Sequence, residues 1–185
     1  QLVNQVVEQA AEQYGLTVQG FTGSRRHYPS DARTDYRSGA RLAVTTYNSL
    51  FNTAPFFDDA QVVIVDDAHA AENYIASMWT LRIVGQEDRH KLIHTALTGL
   101  ILPLLDAATA ARLSGAWDAD DLWVDKLPTP VVSSIHHELL ALLDEHAEAA
   151  GLRHQYSTIR NHLHACHFYL SAREYLIRPL IPPTW

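Results

Sequence analysis

An α/β fold is what the chain predicts: a partial parallel sheet flanked by helices, then a mainly helical insertion. Three observations carry this. Val62-Val63-Ile64-Val65 is a β-branched apolar run that stops abruptly at Asp66-Asp67-Ala68-His69, and such a run reads as a strand buried on both faces. Ahead of it, short β-type runs alternate with helical spacing, the pattern of parallel pairing. Beyond residue 85 the spacing of apolar positions turns helical, as in antiparallel helical packing.

Leu2, Val3, Val6, Val7, Ala10 and Tyr14 recur at helical spacing, and Gly15 closes that helix. Leu16 to Gly20 alternates apolar and polar as a short strand does, and Gly23 to Pro29 reads as a polar loop with a small basic cluster. Thr34 to Gly39 suggests a helical turn. Arg41 to Thr45 reads as a second strand, running into a short helix over Thr46 to Phe51. Pro55 to Asp59 reads as a turn into the third strand, Gln61 to Val65, with helix resuming over Ala70 to Ala76. Gln86 to Ala110 predicts helix, with Leu92, Ile93, Leu97, Leu100 and Leu104 as inward positions. Trp117 to Pro130 is an acidic, aromatic connection. Helix is expected again over Val131 to Ala150, closed by Gly151, and over Ser157 to Ile177, before Pro179. The expected division is therefore residues 1–84 and 85–185.

With 185 residues the chain is long enough for one good core or two small ones. One cysteine excludes a disulfide framework and suits a reducing, cytoplasmic setting. No stretch has the layout of a signal peptide. Leu97 to Leu105 is short and contains Pro103, so no membrane span is expected. The formal net charge of −7 argues against a globally basic surface. A nucleic-acid partner would need a local groove. The start at Gln1 and the end at Pro182-Pro183-Thr184-Trp185 read as the ends of a segment cut from something longer.

Two adjacent acids at the carboxyl end of a buried strand are costly unless a cation meets them, and that end is where open α/β sheets bind ligands. Asp66-Asp67-Ala68-His69 therefore points to a metal–nucleotide site, the blander reading being a solvated turn in which Asp66 or Asp67 caps a helix. With strand, loop, strand-Thr45-Thr46 and strand-Asp66-Asp67-Ala68-His69 in this order, residues 1–84 resemble the first RecA-like motor domain of superfamily-two DEAD/DEAH-box helicases. The branch most similar is the nucleotide-excision-repair type, with a helical insertion after the acidic motif.

The resemblance implies that Asp66 holds Mg²⁺ through water, that Asp67 orients and deprotonates the attacking water, and that His69 couples nucleotide state to the partner domain. Phosphoryl transfer needs a metal to neutralise developing charge and a carboxylate to position an in-line water. It further implies that Thr45-Thr46 contacts a DNA or RNA strand and that Gly23-Ser24-Arg25 forms a second backbone-contacting loop. A hydroxyl and backbone N–H groups at a helix start suit a phosphate oxygen. For Thr46 the alternative is a plain helix cap, and for Gly23-Ser24-Arg25 a solvated turn.

The chain departs from the family in carrying Asp rather than Glu at position 67, which shortens the carboxylate by one methylene. A displacement of about 1 Å can cost roughly a hundredfold in rate. No G-x-x-x-x-G-K-[ST] occurs anywhere, so the phosphate cradle for ATP is expected from the rest of the helicase, together with the second RecA-like domain. No ATP or Mg²⁺ is expected to bind these residues alone. Residues 86–178 are expected to form a helical insertion that closes over a strand held at Thr45-Thr46, the alternative being a packing module that buries the sheet's face.

Other clusters read as packing. His162, His164, Cys166 and His167 crowd one expected helix, where His162 and Cys166 share a face, but zinc wants four ligands in tetrahedral array. His136-His137 diverge on a helix by about 100°. Trp117, Trp123 and Tyr156 with nearby acids suit a protein contact. Two rival functions stand beside the helicase reading: a catalytically weakened helicase-like scaffold whose helical half binds a protein, and a stand-alone phosphohydrolase using Asp66 and Asp67.

Overall fold

The computed structural model describes residues 2–115 and 123–180. Trp117, the acids beside it and the Pro182–Trp185 end lie outside the described residues. The chain is mixed α/β and forms two compact units that divide between Ile75 and Ala76, ahead of the boundary expected after residue 84.

The first unit opens with α1 (Leu2–Tyr14). It ends where Gly15 takes a left-handed φ of +63°, a conformation that costs glycine little. Strands β1 (Val18–Phe21) and β2 (Leu42–Thr45) pair in parallel, with Val18 opposite Leu42 and Phe21 opposite Thr45. Gly20 matters here: a Cβ on it would lie 3.1 Å from Val3 Cγ1 and 3.5 Å from Val7 Cγ2, so its bare backbone lets α1 lie close on the strand. Helix α2 (Ser30–Arg37) crosses between the strands, and α3 (Tyr47–Leu50) follows β2 directly.

The core of this unit is aromatic. Phe21, Tyr28, Phe56 and Phe57 are buried with Ala32 and Leu50. Phe21 meets Tyr28 at 5.1 Å and Phe57 at 5.4 Å between centroids, both edge to face, the arrangement ring quadrupoles favour. Phe56 and Phe57, expected in a turn, thus anchor the core.

Gln61–Val65 is a correction. It forms no strand, and Val62, Val63, Ile64 and Val65 are 78%, 39%, 91% and 37% exposed. A buried parallel strand needs a hydrogen-bonded neighbour and cover on its faces, and among the described residues nothing pairs with this segment. The parallel sheet described is β1 and β2 alone.

Helix α4 (Ala68–Met78) leads to the second unit, which holds the larger correction. Its helices are joined by a sheet that was not expected. Four antiparallel strands lie in the order β3-β6-β5-β4, with β3 Leu81–Val84, β4 Val124–Lys126, β5 Cys166–Ser171 and β6 Glu174–Pro179. The expected helix over Ser157–Ile177 is instead α9 (Arg153–Ile159), a 3₁₀ segment (Arg160–Ala165) and the β5–β6 hairpin. Ser171 ties that hairpin: its hydroxyl donates to the Glu174 carbonyl and accepts from the Arg173 and Glu174 N–H groups.

Helices α5 (Lys91–Ile101), α6 (Ala107–Leu113), α7 (Thr129–Ser134) and α8 (His136–His146) complete the unit. Trp79, Leu81, Ile83, Ile93, Leu97, Leu139, Leu143, Phe168 and Tyr175 form its interior. On α5 the inward stripe is Ile93, Leu97 and Ile101, four residues apart, while Leu92 is 65% exposed and Leu104, in the following 3₁₀ turn, 41%. Tyr156 of α9 donates to Asp144 of α8 at 2.6 Å, and Arg160 grips both oxygens of that carboxylate at 2.7 and 2.8 Å.

Candidate nucleic-acid interface

In the first unit the turn after β1 and the helix after β2 lie side by side, because parallel pairing brings both carboxyl ends to one edge. Gly23 has a φ of +75°, which only glycine adopts without strain, and it turns the chain into a 3₁₀ segment, Arg25–His27. Ser24 caps that segment, its hydroxyl accepting from Arg26 N–H at 3.5 Å. Gly23, Ser24 and Arg25 line a recess of about 220 Å³ together with Asn48, Ser49 and Asn52, and with Tyr28 and Phe56. The guanidinium groups of Arg25 and Arg37 lie 5.6 and 5.3 Å from the Phe56 ring centroid, a cation–π contact that orients long side chains.

Thr45 and Thr46 are not among the residues that line this recess, and they have separate roles. The Thr45 hydroxyl donates to the Phe21 carbonyl at 2.8 Å, tying β2 to β1. Thr46 has extended backbone and occupies the cap position of α3, but its hydroxyl faces the Ser49 hydroxyl at 3.3 Å rather than a backbone N–H. Asn52 closes the loop beyond, donating to the Asn48 and Ser49 carbonyls at 2.9 Å and accepting from Ala54 N–H at 2.8 Å. Polar side chains on the recess walls thus have positions set by the backbone.

Asp66, Asp67 and His69 are exposed. The Asp66 carbonyl accepts from the Tyr47 hydroxyl, which joins the acidic motif to α3. Asp67 has a left-handed φ of +49°, and its carboxylate accepts from Ala70 N–H at 3.3 Å, capping α4. Exposure removes the desolvation cost that a buried pair of acids would carry. Mg²⁺ is commonly held by one or two carboxylates plus substrate phosphates and water. The open Asp66 carboxylate fits that donor set, with Asp67 shared between the cap and any such role.

Comparison with family models, curated proteins and solved structures returned no match. The function is therefore argued from the residues themselves.

The histidine–cysteine cluster does not survive as one helix face, since Cys166 begins β5 and His162 sits in the 3₁₀ segment. The buried Cys166 thiol donates to the His162 carbonyl at 3.4 Å, and burial pushes its pKa up to about 12, which rules it out as a nucleophile at neutral pH. His162 packs edge-on against Trp79. Among the described residues no group of three or more His, Cys, Asp or Glu side chains converges as a metal cage would. Tyr156, read from sequence as a surface contact, is buried beside Asp144. No described helix is long and apolar enough to cross a membrane.

Proposed function

We propose that the chain carries the strand-contacting and acidic motifs of the first motor domain of a superfamily-two, ATP-dependent nucleic-acid helicase or translocase. The observation that carries the reading is the recess lined by Gly23-Ser24-Arg25 together with Asn48 and Ser49 of the short helix that follows Thr45-Thr46. Small polar groups and an oriented guanidinium on a groove are what a phosphate backbone requires. DNA or RNA is the partner; ATP binds through a phosphate loop that is not among these 185 residues. Mg²⁺ at Asp66 would neutralise charge developing on the transferred phosphoryl group. Asp67 would orient water, and His69, the second residue of α4, would report the nucleotide state.

The capping bond made by Asp67 favours a second reading, a catalytically weakened helicase-like scaffold. A carboxylate held to a helix N-terminus is less free to approach water.

Fluorescence anisotropy of a labelled single strand with the chain, across a salt series, tests the strand-contact reading. Arg25→Glu should weaken binding at every sequence and lower the salt slope by about one for each phosphate no longer neutralised. Unchanged affinity and slope would overturn it. In the complete motor, Asp67→Asn should abolish strand-stimulated ATP hydrolysis while nucleotide binding persists; undiminished turnover would select the scaffold.

A further inference from the structure

The outward face of the four-stranded sheet differs in kind from its inner face. Leu81, Ile83, Phe168, Leu170, Tyr175 and Ile177 alternate inward and are buried. The pleat therefore sends their neighbours outward. Register aligns Lys126 of β4 with Tyr169 of β5, Tyr169 with Leu176 of β6, and Leu176 with Arg82 of β3, one row across all four strands. His167 and Arg178 form the adjacent pair. The Arg178 guanidinium stands 5.5 Å from the Tyr169 ring centroid, and His167 Nδ1 lies 3.3 Å from the Tyr169 hydroxyl.

The charge on this face runs against the net −7 of the chain. Arg82 is neutralised by Glu174, at 2.6 Å. Among the described residues no carboxylate stands within ion-pair distance of Arg178 or Lys126. Asp125 pairs with the inward Leu170, and its carboxylate accepts from Lys126 N–H. The result is a partly buried tyrosine on the outward face, oriented by an arginine and a histidine, with cations on either side of it across the strands.

We propose that this face is a platform for single-stranded nucleic acid, separate from the recess in the first unit and independent of the helicase reading. A base would stack on the Tyr169–Arg178 pair, and Lys126 would meet the backbone phosphate beside it. Sheets that hold single strands combine these two elements, aromatic rings for the bases and a cationic track for the phosphates. The aliphatic side chains on this face, Leu176 in the row and Val84 and Val124 at strand ends, are interspersed with charged and polar groups, which suits a phosphate track better than an apolar partner.

The test is binding of fluorescein-labelled oligo-dT and oligo-U to the full chain, with photo-crosslinking to map the residues that touch the strand. Tyr169→Ala should weaken binding at least about fivefold, the lower end of what losing one base–aromatic stack costs, while Tyr169→Phe retains it. Lys126→Ala, which removes the phosphate contact, should lower the salt slope by about one, and crosslinks should map to β5. Comparable loss with both oligonucleotides identifies backbone and stacking recognition; loss with oligo-U alone adds a 2′-hydroxyl contact. Unchanged affinity in a Tyr169→Ala, Arg178→Ala variant with native circular dichroism would overturn the proposal, as would crosslinks confined to residues 23–25. Because Arg25→Glu acts on the other unit, the two sites fail or stand separately.

Discussion

Replacing Gly85 with alanine tests whether the second unit is packed as tightly as its geometry indicates. Gly85 follows β3, and its N–H donates to the Arg173 carbonyl at 2.8 Å, which holds its backbone in place. A Cβ there would fall 2.9 Å from His94 Nε2 and 3.0 Å from the neighbouring ring carbons. The imidazole has no easy retreat. It stacks on Tyr175 with centroids 4.4 Å apart and planes within 17°. The Tyr175 hydroxyl is paired with Thr98 Oγ1 at 2.5 Å, and Thr98 in turn donates to the His94 carbonyl at 2.8 Å. Relief of the clash therefore requires the strand, the ring stack or the hydroxyl pair to shift. Overpacking of this kind costs about 1–3 kcal/mol. In a unit of this size that lowers the melting temperature by ~4–12 °C. The assay is thermal or urea denaturation of wild type, Gly85→Ala, His94→Ala and the double variant. His94→Ala removes the ring that the new methyl meets, so the double variant should cost less than the two single losses added together, a positive coupling. A melting temperature unchanged in Gly85→Ala, or a full alanine penalty persisting without the His94 ring, would refute the reasoning.

Further outcomes follow from the same unit. Burial pushes the His94 pKa below its ordinary value, and its Nε2 has no hydrogen-bond partner among the described residues. The unfolded chain then takes up a proton near pH 6.5 that the folded form resists, so the fold loses stability as pH falls below that point. His94→Phe should lose less stability than wild type between about pH 7 and about pH 5 in urea midpoints, and parallel curves would discount the effect. The hydrogen bonds from Arg160, then Tyr156, hold the Asp144 carboxyl down at about 2. Its stabilising effect is present above the ordinary aspartate range near 3.9 and is lost as pH falls through about 2. Asp144→Asn should lower the denaturation midpoint at pH 7 and converge with wild type at the acid end. A constant difference down to the acid end would assign the loss to packing instead.

Elements whose cause is local are legible from residue spacing alone. Helix α1 is written in the spacing of Val3, Val7 and Ala10 and stops at a glycine that can turn left-handed. Strands β1 and β2, the short α3 after Thr46 and α4 after the acidic motif were likewise legible from alternation, punctuation and capping. That the segments after β1 and β2 emerge at one edge follows from parallel pairing, but the recess there is lined by Gly23, Ser24 and Arg25 with Asn48, Ser49 and Asn52, and not by Thr45 or Thr46. Part of the second unit is legible as well. In Cys166–Ser171 every second residue is buried, a period of two masked by histidines at helix-like spacing upstream. What only the tertiary structure decided concerns residues whose state depends on distant partners. Val62–Val65 has the composition of a central strand, yet strand is a property of a pair, and no described segment supplies its ladder. Phe56 and Phe57 sit in turn-like sequence but are buried because Phe21 and Tyr28 come to meet them. The aromatic and cationic row across Lys126, Tyr169, Leu176 and Arg82 joins residues remote in sequence. Local spacing sets which residues share a face of one element, whereas hydrogen bonding between elements sets which faces lie side by side.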